Sequence, residues 1–273
     1  MEPLQKYQAC VDALAEYARG AGFSDCVIGL SGGMDSALVA VMCADAFGAD
    51  HVHAVLMPGP YSTGHSVDDA QEEADNLGIR AQVVSILEPY EAFERVLAKP
   101  CGGVLDGLAG ENTQARCRMV VLMALSNRYG WMLVNTGNKS EAWMGYSTLY
   151  GDTAGAFAPI GGLYKTDVYE VARARNELAA KRGEVPPIPE RVFTKPPSAE
   201  LSPDQEDEKS LGIDYPSLDR ILMGHFEYGK PAEELADDRH DIESVAAIIR
   251  RAEGYAFKRA MEPPYPQTNF YSL

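Results

Sequence analysis

Residues 29–36 read Gly-Leu-Ser-Gly-Gly-Met-Asp-Ser and lie between two apolar runs, Cys26-Val27-Ile28 before them and residues 37–44 after them. The first run has the length of a buried strand, and the second continues without glycine or proline as a buried helix. A chain that passes from strand to helix through adjacent glycines turns tightly and leaves main-chain N–H groups unpaired at the helix start. Those donors, with the helix dipole behind them, favour an anion. Ser31 and Ser36 add hydroxyl donors. Asp35 is out of place beside a phosphate unless a cation lies between them. It is therefore expected to be a Mg²⁺ ligand, sharing the ion with phosphate oxygens.

Two other glycine loops compete for this pattern. A Walker A loop is excluded, because no Lys-Ser or Lys-Thr follows the glycines. Gly29-x-Ser31-x-Gly33 fits the nucleophile elbow of the α/β-hydrolases, which would make Ser31 a nucleophile. That elbow normally follows several strands, whereas only one helix precedes this one, and it leaves Asp35-Ser36 unexplained. The octapeptide instead resembles the pyrophosphate-binding loop of the N-type ATP pyrophosphatases. The resemblance implies cleavage of ATP to AMP and pyrophosphate with adenylation of a substrate oxygen.

The net charge of −16 argues against a nucleic-acid surface. Cations near glycine turns are the more informative for being few. The five cysteines form no CxxC pair and read as reduced, mostly buried residues. No apolar run is long enough to span a membrane, and no signal-peptide pattern opens the chain. A cytoplasmic location is expected.

In chain order, apolar spacing predicts a helix over 3–19, a strand over 51–57, a helix over 65–77 and a strand over 80–86. A helix over 90–98, a Gly/Pro-rich loop over 99–110, a helix to about 129 and a strand over 131–134 follow. Strands alternating with helices at this spacing imply an α/β fold, a doubly wound parallel sheet flanked by helices. Ligands of such sheets lie beyond the carboxyl ends of the strands. This places the Met57 exit beside an adenosine and turns residues 135–141 toward the nucleotide. There Lys139 is expected to meet phosphate or a developing charge. Glu141 is either a second metal ligand or simply a first-turn acid favoured by the dipole. Residues 145–162 form a long glycine-rich segment, of a kind that usually serves function. A helix over 165–181, Pro-rich stretches at 186–190 and 195–201, and a polar, flexible 202–210 lead to a helical C-terminal subregion over 213–226, 232–235 and 242–258. One domain over 1–273 is expected.

Taken together, SGGMDS (31–36), ENTQAR (111–116), TGNKSE (136–141), GYSTLYGD (145–152), PIGGLYKTDVYEVA (159–172), KPPSAEL (195–201) and AEGYAFKR (252–259) resemble the NAD synthetases across nearly the whole chain. The resemblance implies a Rossmann-like fold of the adenine nucleotide alpha hydrolase type. It also implies a ligase that uses ATP, Mg²⁺ and ammonia to convert deamido-NAD to NAD through an adenylated carboxylate. On that resemblance Gly29, Leu30, Ser31, Gly32, Gly33, Met34, Asp35 and Ser36 hold ATP, and Asp35 and Glu141 hold Mg²⁺. Thr136, Lys165 and Ser198 contact ATP or the adenylate, and Arg116 and Lys258 bind deamido-NAD. Asp35, Glu141 and Lys165 carry the catalysis. A homodimer is implied as well. Asn138, Leu149 and Phe257 replace residues usual in ammonia-using members and look more like the synthetase domain of glutamine-dependent ones. The chain is thus expected to act alone on ammonia, to be a fragment, or to borrow a separate glutaminase.

Overall fold

Cys26 and Ile28 point to one side of their strand and Val27 to the other, and all three are buried. A strand with both faces buried needs helices on both sides, and the computed structural model, which describes residues 1–271, has that arrangement. Positions 272 and 273 of the expected domain lie outside the described residues.

Helix α1 (Pro3–Ala21) leads to β1 (Cys26–Gly29), α2 (Met34–Phe47), β2 (Val52–Leu56), α3 (Gly64–Leu77) and β3 (Arg80–Val83). Then come α4 (Leu87–Leu97), α5 (Gly107–Tyr129), β4 (Met132–Leu133), α6 (Lys139–Met144) and α7 (Lys165–Lys181). The C-terminal part is helical: α8 (Glu190–Thr194), α9 (Asp207–Leu211), α10 (Tyr215–Phe226), α11 (Ala232–Leu235), α12 (Ile242–Gly254) and α13 (Ala256–Arg259). The sheet is parallel with order β3-β2-β1-β4, in register Cys26↔Val52, His53↔Arg80 and Cys26↔Met132. One face packs on α1, α2, α3 and α7. The other, through Val27, Val55 and Leu133, packs on Leu122 of α5.

Five boundaries differ from the sequence reading. β3 ends at Val83 rather than 86, although two further amides still reach across to the β2 side, Val84 N to Leu56 O and Ile86 N to Pro58 O. β4 is two residues long because its outer edge is taken by the returning glycine-rich segment: Ala156 N donates to Leu133 O, and Val134 bridges Phe157. The expected loop over 99–110 gives way to α5 at Gly107, and the polar 202–210 stretch contains the start of α9. The last long helix breaks at Tyr255 into α12 and α13.

Both ends of the described chain converge on α7. Asp167, in its first turn, accepts from Lys6 Nζ at 2.6 Å and from the Tyr271 hydroxyl. No helix among the described residues is long and apolar enough to cross a membrane.

Candidate active site

β1 pairs with β2 on one side and β4 on the other, so the strand order reverses between β1 and β4. The crevice at such a reversal is where an open α/β sheet binds ligands. Two turns border it, residues 30–33 after β1 and residues 134–138 after β4. In the first, α2 begins from Gly33 with no side chain capping it, which leaves its N–H end open. Ser36 Oγ donates to Gly33 O at 3.0 Å, and Ser31 Oγ accepts from Gly33 N at 3.2 Å. The two hydroxyl oxygens lie 3.0 Å apart. Gly32 has φ +76, and a Cβ there would overlap the Ser66 carbonyl of α3. Gly32→Ala is therefore expected to cost about 1–3 kcal/mol; a melting temperature within a degree of the parent would contradict this.

The centre of the crevice is an ion cluster. Lys165, 3% exposed at the first turn of α7, pairs directly with Asp35 Oδ2 and lies 3.3 Å from Glu141 Oε1. Asn138 completes it: its amide donates to Asp35 Oδ1 at 2.9 Å, and its Oδ1 caps α6 by accepting from Glu141 N at 3.0 Å. Burial opposes the charge on Lys165, but Asp35 and Glu141 outweigh it and hold the ammonium above the usual lysine range. Burial pushes Glu141 up to about 8, against the pull of Lys165 and with the repulsion of Asp35 and Asp207. Asp207 on α9 is also raised, chiefly by burial, and its Oδ1 has no hydrogen-bond partner among the described residues.

Around this cluster is a cleft of about 310 Å³. Gly29, Leu30, Ser31, Gly33, Met34, Asp35, Ser36, Met57, Thr136, Glu141, Lys165 and Ser198 all line it. Gly32 supports the loop from behind, against Ser66. Arg116 and Lys258 fall outside the lining. Arg116 is exposed and donates from Nε to Leu149 O, while Lys258 Nζ holds Gly145 O at 2.7 Å and Ser147 O at 2.6 Å. Lys139, expected at phosphate, turns away and pairs with Glu227 of α10.

The sequence reading passed over several residues that the fold brings here. Arg118, one helical step from Arg116, donates from Nε to Met57 O at 3.1 Å and lines the cleft. Lys195 reaches Ser66 Oγ at 3.1 Å, and Glu200 accepts from Thr63 N and from Ser66 Oγ. The acidic run after residue 201 was the one signal for Asp207. The charged lining comprises six carboxylates (Asp35, Glu141, Asp152, Glu200, Asp207, Glu262) against Arg118, Lys165 and Lys195. Burial lifts Asp152 to about 6 and Glu262 to about 7, so removal from water raises several of these acids. Hard oxygen donors with an unpartnered buried oxygen among them suit a hard divalent cation completed by phosphate and water. No group of three or more His, Cys, Asp or Glu among the described residues would hold a metal unaided.

Comparison with known proteins decides the family. The model of the NAD synthase family matches residues 6–262. The chain belongs to the NAD synthase family. It is 44% identical over 259 residues to the glutamine-dependent NAD(+) synthetase of Thermotoga maritima, a match covering 94% of this chain and 44% of that protein. The chain spans about half the length of the curated relatives it matches. Among solved structures, the NMN synthetase of Francisella tularensis superposes with a TM-score of 0.77 at 28% identity, covering 95% of this chain and 96% of that one. The NH3-dependent NAD synthetase of Campylobacter jejuni does so with a TM-score of 0.72 at 27% identity, covering 94% and 96%. The parallel sheet flanked by helices and the helical C-terminal region agree with these NAD synthetase neighbours.

Proposed function

We propose that the chain amidates the nicotinate carboxylate of deamido-NAD with ammonia, consuming ATP and releasing AMP and pyrophosphate. The observation that carries this reading is the Asp35–Lys165–Glu141 cluster at the open N-terminus of α2, inside the cleft. A carboxylate is a poor acyl donor, so one of its oxygens bonds to the α-phosphorus while the bond to the pyrophosphate oxygen breaks. Ammonia then attacks the carbonyl carbon of the adenylate, AMP leaves with the bonding electron pair, and the nitrogen loses a proton. Such transfers depend on positioning and on meeting phosphate charge with fixed donors.

Residues 29–36 receive the phosphates through the open helix end and the two hydroxyls, and Met57 borders the adenosine. Lys165 stays protonated and faces the charge that develops on the phosphate oxygens. Thr136 and Ser198 supply hydroxyl contacts. Asp35 and Glu141 would hold Mg²⁺, which when bound offsets the phosphate charge. Arg116 and Lys258 serve the dinucleotide, Lys258 by anchoring the 145–147 turn. Two copies forming a homodimer would cover the exposed apolar Val96, Leu108, Val120 and Met123 of α4 and α5.

A second reading takes the nitrogen from glutamine through a glutaminase unit. The 44% identity to a protein named glutamine-dependent, over less than half its length, favours it. The test is NAD formation from deamido-NAD, ATP and Mg²⁺, with ammonium in one arm and glutamine in the other. A third arm offers nicotinic acid mononucleotide as acceptor, because of the likeness to an NMN synthetase. Product with ammonium alone supports the first reading, and product from glutamine only once a glutaminase is added, with none from ammonium, supports the second. Absence of product from every acceptor would reject both.

A further inference from the structure

α6 has six residues and α7 starts from Tyr164, which makes no side-chain cap. A helix of six residues is not stable by itself, and an uncapped helix start leaves donors to be satisfied elsewhere. Yet α6 presents Glu141 and α7 presents Lys165, whose separation defines the candidate site. Something outside both must set that separation. Asp219, from the middle of α10 and 2% exposed, lies between them. Its Oδ1 accepts from Ser140 Oγ at 2.5 Å, and its Oδ2 accepts from Thr166 N at 2.8 Å. Ser140 Oγ in turn accepts from Lys165 N at 2.8 Å. The first two amides of α7 therefore both end in the Ser140–Asp219 unit, which is joined to the residue preceding Glu141.

The geometry points to Asp219 as a positioning residue for the adenylation step, fixing Lys165 and Glu141 relative to each other through Ser140. The inference rests on the proposed roles of those two residues. Asp219 touches no substrate-facing atom of the cleft; it acts at one remove, capping α7 in trans and holding α6 against it. The C-terminal helices, remote from the glycine loop in sequence, thereby become part of the catalytic apparatus.

The test compares wild type with Asp219→Ala, Asp219→Asn and Ser140→Ala at a temperature where circular dichroism shows all four folded. Asp219→Ala is expected to lower kcat by roughly 10–100-fold, with KM for deamido-NAD changed by less than about threefold, since that substrate's proposed contacts lie elsewhere. Asn keeps an acceptor for Thr166 N and a donor toward Ser140, so Asp219→Asn recovers most of kcat. The double variant Asp219→Ala/Ser140→Ala loses little more than either single one, because both cut the same link. Hydrogen exchange at the Lys165 and Thr166 amides should rise by more than about tenfold in Asp219→Ala. Unchanged kcat in folded Asp219→Ala, or unchanged exchange at those amides, overturns the inference. Wild type without turnover on any acceptor rejects the functional reading instead, and the exchange rates still decide whether Asp219 holds the two helices.

Discussion

Asp35→Asn is expected to reduce NAD formation by on the order of 10²–10³-fold, the size of effect seen when one preorganised electrostatic group is removed, while leaving the fold in place. Asparagine has the shape of aspartate, and the loop is held by Ser31, Gly33 and Ser36 rather than by residue 35. The change instead acts on charge. Asp35 receives Lys165 on one oxygen and the Asn138 amide on the other, and an asparagine amide would confront one of those donors with another donor. Lys165 retains Glu141 at 3.3 Å, so the melting temperature should fall by only a few degrees. Raising Mg²⁺ should not restore turnover, because the proposed ligand charge is gone. Near-normal activity in this variant would remove the metal assignment of Asp35.

Lys165→Met should damage stability and activity together. Removing one partner of a buried ion cluster typically costs about 3–5 kcal/mol, because here the carboxylates of Asp35, Glu141 and Asp207 would then face one another without a counter-charge. Glu141 is already raised to about 8 by burial and by its acidic neighbours. An acid whose folded pKa lies above its ordinary value destabilises the fold increasingly as pH rises from that ordinary value through the raised one. Loss of Lys165 removes the influence that lowers it, so the variant's stability should fall more steeply than the parent's between about pH 7 and about pH 9, where the parent's Glu141 ionises and the variant's stays protonated. Added Mg²⁺ should raise the variant's melting temperature more than the parent's by replacing the missing positive charge. Thermal melts at both pH values, with and without Mg²⁺, test this. Equal pH slopes for the two proteins would show that Lys165 is not what balances the cluster.

Local punctuation made the first half of the fold legible. Gly22, which caps α1, the apolar runs at 26–28 and 51–57, and the glycines at 29, 32 and 33 act on their immediate neighbours, and the structure follows them, whereas Gly20 lies inside α1. The site was legible where its residues sit at the carboxyl ends of strands. What could not be read were choices made by distant partners. Lys139 and Lys165 each open a helix near the crevice, and nothing local says which ammonium faces Asp35. Glu227 of α10 decides it by taking Lys139. Asn138 looked like a departure from a family pattern, and only the folded chain, spanning 103 positions, brings its amide to Asp35. Asp207 and Asp219 sat in stretches that read as a polar loop and an amphipathic helix. Both are buried against elements that the sequence could not place beside them.

The excess of carboxylates around the cleft also bears on how nucleotide arrives. On a protein of net charge −16, with six acids against three bases lining its own binding site, the long-range field repels a free nucleoside triphosphate, and only contact with the glycine loop turns that repulsion into capture. Complexation with a divalent ion halves the charge the triphosphate must carry through that field. Encounter therefore selects the ion-complexed form before any side chain touches it. Added salt, which slows most enzymes that attract charged substrates, shortens the reach of the barrier here.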